Sequence, residues 1–297
     1  MTNKHHKFIK HSVFWSVVYM GMIWLSFPSY SADKNLPKVI SLDYCADQFV
    51  LLLSDQEQIT AVSKAAEDVY SFYRDRANGL AKTSSTIEEV IIMKPDVAVQ
   101  TYSAAAHMGE MTERSGISLI ATAYGSDPKT VYKNIEMIGK AVGQQKRAIE
   151  FNNNYKNRLK KLERTPKSKL RLAYITPSGV TAGKGTSVDD VIKLSGFENY
   201  AVTKGYNGWV DLPLENLILD PPDAFITSFF ERDAVTQSRW SLSRHDFLYK
   251  MMNEIPTINL PSTHMSCNGL FLVDAAELIR KEATTVNLIS RATELLN

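Results

Sequence analysis

One nine-residue pattern occurs twice in the sequence, once in each half of the chain. Residues 88–96 have the sequence EEVIIMKPD and residues 215–223 have ENLILDPPD, so in both copies a glutamate precedes a Pro-Asp pair by seven residues. Proline ends a helix and favours an extended conformation in the residue before it, so each copy predicts a short helix followed by a buried strand. A duplicated unit of this kind indicates that the chain folds as two similar halves.

The glutamates Glu88 and Glu215 are predicted to lie in the first turn of these two helices. Residues 85–88 fit a capping box, and Pro213 fits the first helical position. A carboxylate in the first turn is stabilised by the helix dipole and stays near solvent. From these residues alone, the two glutamates either stabilise their helices and do nothing more, or they also contact a partner.

Short runs of β-branched residues alternate with helical patterns along most of the chain. This alternation predicts the α/β class with largely parallel sheets. Because the series repeats, we expect two Rossmann-like α/β lobes. The predicted strands are residues 38–41, 59–62, 97–100 and 118–121 in the first half and 171–175, 224–227 and 257–260 in the second.

A long polar helix is predicted between the two halves, from Gln144 to Arg164. Its apolar residues form one stripe and are Ala148, Phe151, Tyr155, Leu159 and Leu162. At ~1.5 Å per residue the helix is long enough to run across two lobes, although a surface helix within one domain has the same pattern. We therefore expect an N-terminal lobe at 32–143, a single linking helix at 144–164 and a C-terminal lobe at 165–297.

The N-terminus has the order of features that is typical of a secretory signal. Residues 1–12 carry three lysines, residues 13–27 are mostly apolar, and small residues follow. The apolar run is shorter than the ~20 residues that span a bilayer, so we expect cleavage after Ser31 or Ala32 rather than an uncleaved anchor. The formal net charge of +2 includes these three lysines, so the exported remainder carries −1 and lacks a basic surface for nucleic acid.

The chain has two cysteines, Cys45 and Cys267. In an oxidising compartment they are expected to form one long-range disulfide. The alternative is a free thiol, because Cys45 lies at a predicted helix start and a helix N-terminus lowers the pKa of a thiol. With His264 as a distant base, that thiol would suit an exported hydrolase, but the sequence has no G-x-S-x-G, Walker or G-x-G-x-x-G motif, and we expect no catalysis.

Four features in combination carry a family resemblance: SLDYCAD at 41–47, the duplicated unit, the long linking helix, and SVDDVIKLSGFEN at 187–199. Over roughly residues 38–285 the chain resembles the periplasmic substrate-binding proteins of ABC importers for cobalamin, ferric siderophores and haem. The resemblance implies two α/β lobes joined by one rigid helix, a ligand in the cleft between them, and a periplasmic monomer that delivers its ligand to an inner-membrane permease. By their place in the duplicated unit, Glu88 and Glu215 would dock on arginines of that permease.

The cleft residues must be inferred from local chemistry. Ligands of open α/β sheets bind beyond the carboxyl ends of the strands, where this sequence places many aromatic residues. Such residues either pack beneath their own loops or hold a large, flat or greasy ligand, for which we expect a ferric siderophore first, cobalamin second and haem third. The predicted ligand-binding residues are Tyr44, Tyr70, Tyr102, Trp209, Phe229, Arg232, Trp240 and His264.

The histidines that follow the signal segment lack the spacing of metal ligands. They are His107, His245 and His264, and no two of them lie at an H-x-H or H-x3-H interval. We therefore expect neither a dedicated metal site nor a resident cofactor, although His264 has the chemistry to contact the metal of a bound iron or cobalt chelate.

Overall fold

The described part of the chain belongs to the α/β class and has mainly parallel sheets. The computed structural model describes residues 36–101, 106–230, 246–267, 269–286 and 288. The predicted signal segment and the candidate site residues Tyr102, Arg232 and Trp240 lie outside the described residues.

The first half forms a parallel sheet of five strands, which are β1 (Val39–Ser41), β2 (Ile59–Ser63), β3 (Lys82–Thr83), β4 (Val97–Gln100) and β5 (Ser118–Ala121). Their order across the sheet is β3-β2-β1-β4-β5. Every residue of the central strands β1 and β4 is buried, as expected for apolar runs covered on both faces. The helices of this half are α1 (Tyr44–Leu53), α2 (Ile87–Met93), α3 (Ala106–Arg114) and α4 (Pro128–Ala141).

Helix α5 (Gln145–Glu163) follows α4 and leads into the second half, whose described residues form two sheets. The strands are β6 (Arg171–Ile175), β7 (Val180–Ala182), β8 (Glu198–Asn199), β9 (Trp209–Asp211), β10 (Ala224–Thr227) and β11 (Thr257–Asn259). A parallel sheet has the order β11-β10-β6-β8, and β7 pairs with β9 in an antiparallel pair. The remaining helices are α6 (Ser187–Leu194), α7 (Tyr200–Thr203), α8 (Leu214–Leu219), α9 (Asp246–Glu254) and α10 (Leu272–Thr285).

The duplicated unit has the same surroundings in both halves. Its helix, α2 or α8, precedes a strand that pairs with the first strand of its sheet, β4 with β1 and β10 with β6. The Asp96 carboxylate accepts a hydrogen bond from the Lys38 backbone N–H at 2.7 Å. The Asp223 carboxylate accepts the corresponding bond from Arg171 at 2.6 Å. The aspartate of the Pro-Asp pair therefore anchors each helix-strand unit to the strand beside it.

The seven predicted strands are present. Four have the predicted bounds, and β1, β2 and β11 differ by one residue at one end. The sequence did not predict β3, β7, β8 and β9, which have only two or three residues each and depend on their partners in the sheet.

The predicted capping box at residues 85–88 is wrong by one residue. Helix α2 is capped by Thr86, whose hydroxyl accepts from the Glu89 backbone N–H. Ser85 is unsuited to cap because its hydroxyl donates to the Leu42 carbonyl at 2.6 Å. In α8, Pro213 is likewise the cap rather than the first helical residue. Glu88 is consequently the second residue of α2, as Glu215 is of α8.

Helix α5 contacts both halves of the chain. Near its start, Arg147 donates to the Leu53 carbonyl at 2.5 Å and to the Asp55 carboxylate at 2.6 Å. Further along, Arg158 pairs with Asp274 at 2.7 Å and with Glu277 at 2.6 Å, both on α10. The buried stripe includes Ala148, Tyr155, Leu159 and Leu162, as predicted, whereas Phe151 is only partly buried.

One apolar cluster includes residues of both halves. It joins Phe49 of α1 and Ile135 of α4 to Tyr155 of α5 and Ile279 of α10, among others. The described helices include none that is long and apolar enough to cross a membrane.

Candidate ligand site

The carboxyl ends of β1 and β4 are held together by one carboxylate. Asp43 follows β1 and caps α1, accepting from the backbone N–H groups of Cys45 at 3.1 Å and Ala46 at 2.9 Å. Its other carboxylate oxygen accepts from the Thr101 backbone N–H, just after β4, at 2.7 Å. The start of α1, with Tyr44 and Cys45, is therefore fixed against the end of β4.

The loop that follows β11 is attached to this edge. Cys267 forms a disulfide with Cys45, with a Cα–Cα distance of 5.4 Å. The Tyr44 hydroxyl donates to the Ser266 carbonyl at 2.5 Å, and the Ser266 hydroxyl donates to the Tyr70 carbonyl at 2.7 Å. A segment of the second half thus lies against the carboxyl edge of the first sheet.

A pocket of about 350 Å³ lies at this junction, which is within the size range of small-molecule sites. Its described lining comes from the ends of β4 and β5, from α1 and α4, and from the disulfide loop. The lining residues are Tyr44, Cys45, Phe49, Thr101, Thr122, Ala123, Tyr124, Gly125, Asn134, Ser266 and Cys267. No residue in this described lining is ionisable apart from the tyrosines, so the pocket offers hydroxyl, amide and aromatic groups rather than charges.

Tyr70 lies next to the pocket residue Tyr44, in the loop after β2. The two rings meet edge to face with centroids 5.2 Å apart. The Tyr70 hydroxyl donates to the Asp68 carboxylate at 2.5 Å. A phenol that donates to a carboxylate has a more electron-rich oxygen, and phenolate-like oxygen is a good ligand for ferric iron.

His264 packs in an aromatic cluster beside the disulfide loop. Its ring meets Phe72 edge to face at 5.2 Å, and Phe72 stacks on Phe271 at 4.1 Å. Burial lowers the pKa of His264, and the nearby charge of Asp274 opposes this shift only in part. The lowered pKa favours the neutral imidazole. The Nδ1 atom lies 3.0 Å from the Thr263 hydroxyl.

Two predicted aromatic residues lie in the second half. Phe229 follows β10 and has a φ of +66°, a backbone conformation that costs a bulky residue energy and occurs often at functional sites. The hydroxyl of the preceding Ser228 is buried and has no hydrogen-bond partner among the described residues. Trp209, on β9, is 55% exposed and meets the Tyr174 ring near the end of β6 at 6.1 Å.

The structure therefore brings Tyr44, Tyr70 and His264 to one region around the disulfide, and places Trp209 and Phe229 beside the second sheet. Ser266 and Asn134 also line the pocket and were not predicted from the sequence. Thr101 and Thr122 were not predicted either, although both directly follow strands, where polar residues were a usable signal.

The surface glutamates Glu88 and Glu215 are exposed, each in the first turn of its helix, as predicted. Within the described ranges no cluster of three or more His, Cys, Asp or Glu side chains is arranged to hold a metal ion.

Two α/β lobes, with a pocket at the edge of a sheet whose described lining is uncharged, are features of two-lobe ligand-binding proteins. Residues 39–238 match the family model described as periplasmic binding protein, and the chain belongs to that family.

Individual relatives are distant. An ABC transporter substrate-binding lipoprotein of Bacillus subtilis (strain 168), YvrC, is 25% identical over 206 residues, which make up 66% of this chain and 64% of that protein. The match therefore spans less than two thirds of the curated relative's length.

Solved structures resemble nearly the whole described chain. The periplasmic heme-binding protein RhuT from Roseiflexus sp. RS-1 has a TM-score of 0.64 and 17% identity, over 84% of this chain and 100% of that one. The vitamin B12 binding protein BtuF of Vibrio cholerae has a TM-score of 0.60 and 16% identity, over 85% and 98%. At such identities the likeness establishes the fold.

Proposed function

We propose that this chain is an exported periplasmic binding protein that captures a neutral ferric chelate, of the hydroxamate siderophore type, and delivers it to an ABC permease. Membership of the periplasmic binding protein family and the signal-like N-terminus support export and transport. The ligand lies, on this proposal, in the pocket beside Tyr44 and Tyr124.

The choice of ligand rests on the described lining of the pocket, which has no charged side chain. In a ferric hydroxamate the ligand charges cancel that of Fe³⁺, so the complex needs no countercharge from the protein. A ferric catecholate and the propionates of haem carry negative charge. The described lining offers no positive charge to pair with it, so burying either in this pocket would be unfavourable. Threonine hydroxyls and the aromatic faces of Tyr44 and Tyr124 suit the carbonyl-rich, greasy surface of a neutral chelate.

Haem is the second candidate, and a separate observation favours it. Tyr70, bonded to Asp68, and the neutral imidazole of His264 are both suitable axial ligands for haem iron. The solved relative RhuT is described as heme-binding, and BtuF as binding vitamin B12, which keeps cobalamin in the test as well.

Intrinsic fluorescence titration separates these ligands. The purified mature chain is titrated with a ferric hydroxamate, a ferric catecholate, cobalamin and haemin, with Trp209 among the reporting fluorophores. We expect quenching by the hydroxamate at micromolar or tighter affinity. No response to any of the four would refute this ligand class, and binding of haemin alone would favour the second candidate.

Two variants test the site. Tyr124 is 66% exposed, so Tyr124→Ala should leave the fold intact and weaken hydroxamate binding on the order of tenfold. The matched control is Ile149→Ala, a 57% exposed residue on α5. Tyr70→Phe should change the absorption spectrum of a haem complex but leave hydroxamate affinity within about twofold.

Enzyme activity is not part of this proposal. The sulfur of Cys45 is bonded to Cys267, which removes the thiol on which the hydrolase hypothesis depended. Rapid alkylation of Cys45 in the native oxidised protein would reopen that hypothesis.

A further inference from the structure

The two most exposed large apolar side chains of the described residues are Leu219, at 83%, and Ile92, at 76%. Single exposed apolar residues are common on protein surfaces and by themselves indicate nothing. These two are different because they occupy the same position in the two copies of the duplicated unit.

In each copy the exposed aliphatic residue follows the glutamate by four positions. Ile92 is four residues after Glu88 on α2, and Leu219 is four residues after Glu215 on α8. Residues four apart on a helix are neighbours on one face. Each unit therefore presents a carboxylate and an aliphatic side chain side by side, and all four side chains are exposed.

The other positions of the unit show why this face is outward. Val90 and Leu217, two residues after each glutamate, are fully buried and hold the helix against its lobe. The prolines Pro95 and Pro222 are buried as well. Folding thus accounts for the inward face of both helices, whereas no residue in the described part of either lobe covers Ile92 or Leu219.

We propose that Ile92 and Leu219 add an apolar contact to permease docking, beside the glutamates Glu88 and Glu215 to which the family resemblance assigns it. Each site would then take a cationic side chain bordered by an apolar surface. This inference rests on the proposed function. The negative charge calls for a basic partner, and the presence of one site per half calls for a partner with two equivalent halves, as an importer permease has.

The two components of each site contribute differently. A charge pair at the rim of an interface mainly speeds and orients the encounter. An aliphatic side chain that becomes buried excludes water from that charge pair and slows dissociation. Losing Ile92 and Leu219 should therefore impair transfer even though both glutamates remain.

Photocrosslinking in the native host tests the contact without knowledge of the ligand. A photoreactive phenylalanine analogue is placed singly at positions 88, 92, 215 and 219, and at 149 as an exposed control. We expect crosslinks from 92 and 219 to a protein that mass spectrometry identifies as an ABC permease subunit, and none from 149.

The outcomes separate this inference from the proposed function. Permease crosslinks from 88 or 215 without any from 92 and 219 would leave docking in place and overturn the apolar contact. Crosslinks from 92 and 219 to a second copy of this chain would also overturn it. No permease crosslink from any of the four positions would refute permease docking itself.

Uptake by whole cells provides a second readout. The double variant Ile92→Ser with Leu219→Ser should lower uptake of the ligand found by titration on the order of tenfold, with ligand affinity and melting unchanged. The control Ile149→Ser should transport normally. Normal uptake by the double variant would contradict the proposal.

Discussion

The disulfide between Cys45 and Cys267 closes most of the chain into one loop, so its removal should have a large effect on stability. The two cysteines are separated by 222 positions. Closing a loop of that length in the unfolded chain lowers its entropy by an amount worth about 5 kcal/mol at room temperature. This value applies to the double variant Cys45→Ser with Cys267→Ser.

The measured loss should fall somewhat below this ceiling. The apolar cluster and helix α5 also join the two halves, so the reduced unfolded ensemble retains some of the same contacts. Cys267 is 4% exposed, and its replacement by serine adds a small packing cost in the other direction. We expect the free energy of unfolding to fall by about 3 to 5 kcal/mol.

Urea unfolding with and without reductant measures this loss. A reductant should lower the midpoint of the native chain towards that of the double variant, which should itself be insensitive to reductant. Two alkylatable thiols in the unreduced native protein, or equal midpoints for the native chain and the variant, would refute the reasoning.

Three further predictions concern charge and shape. The pKa of His264 is lowered from 6.5 by burial, so below pH 6.5 the unfolded chain takes up a proton more readily than the folded chain. Thermal melts should therefore show that the native chain loses stability relative to His264→Gln as pH falls below 6.5. The pKa of Asp47 is raised from 3.8, chiefly by burial, so above pH 3.8 the unfolded chain releases this proton more readily than the folded chain. The same melts should show that the native chain loses stability relative to Asp47→Asn as pH rises above 3.8. A difference that is constant with pH would contradict either assignment. If helix α5 is a rigid strut, small-angle scattering should change little when ligand binds, whereas a marked contraction would indicate a hinge. 

The strands that were predicted from the sequence have runs of β-branched or aliphatic residues, and in β1, β4, β6 and β10 these runs are almost entirely buried. Such runs can be recognised from the local sequence alone, as in β4 and β10. The pair β7 and β9 has three residues in each strand, and its formation depends on the turn after β6 and on contacts distant in sequence. Its local sequence therefore gave no sufficient signal.

The candidate ligand site likewise contains residues that the local sequence predicts and residues that it does not. The rule that ligands bind beyond the carboxyl ends of strands selected Tyr44, which lines the pocket. Ser266 enters the pocket because the disulfide and the Tyr44 hydroxyl hold its loop against a segment more than 200 residues away. Two cysteines indicate that such a link is possible but do not indicate which neighbouring residues it brings along.

In the duplicated unit, folding explains some of the residues that the two copies share and not others. Asp96 and Asp223 each bond the adjacent strand, and losing that bond would leave a backbone N–H without its partner, so folding explains why both copies have the aspartate. Ile92 and Leu219 make no comparable contribution, because a substitution on an open surface usually changes stability by less than about 0.5 kcal/mol. Both copies nevertheless have an aliphatic side chain beside an exposed glutamate, and the proposed permease contact offers a reason for this that folding does not.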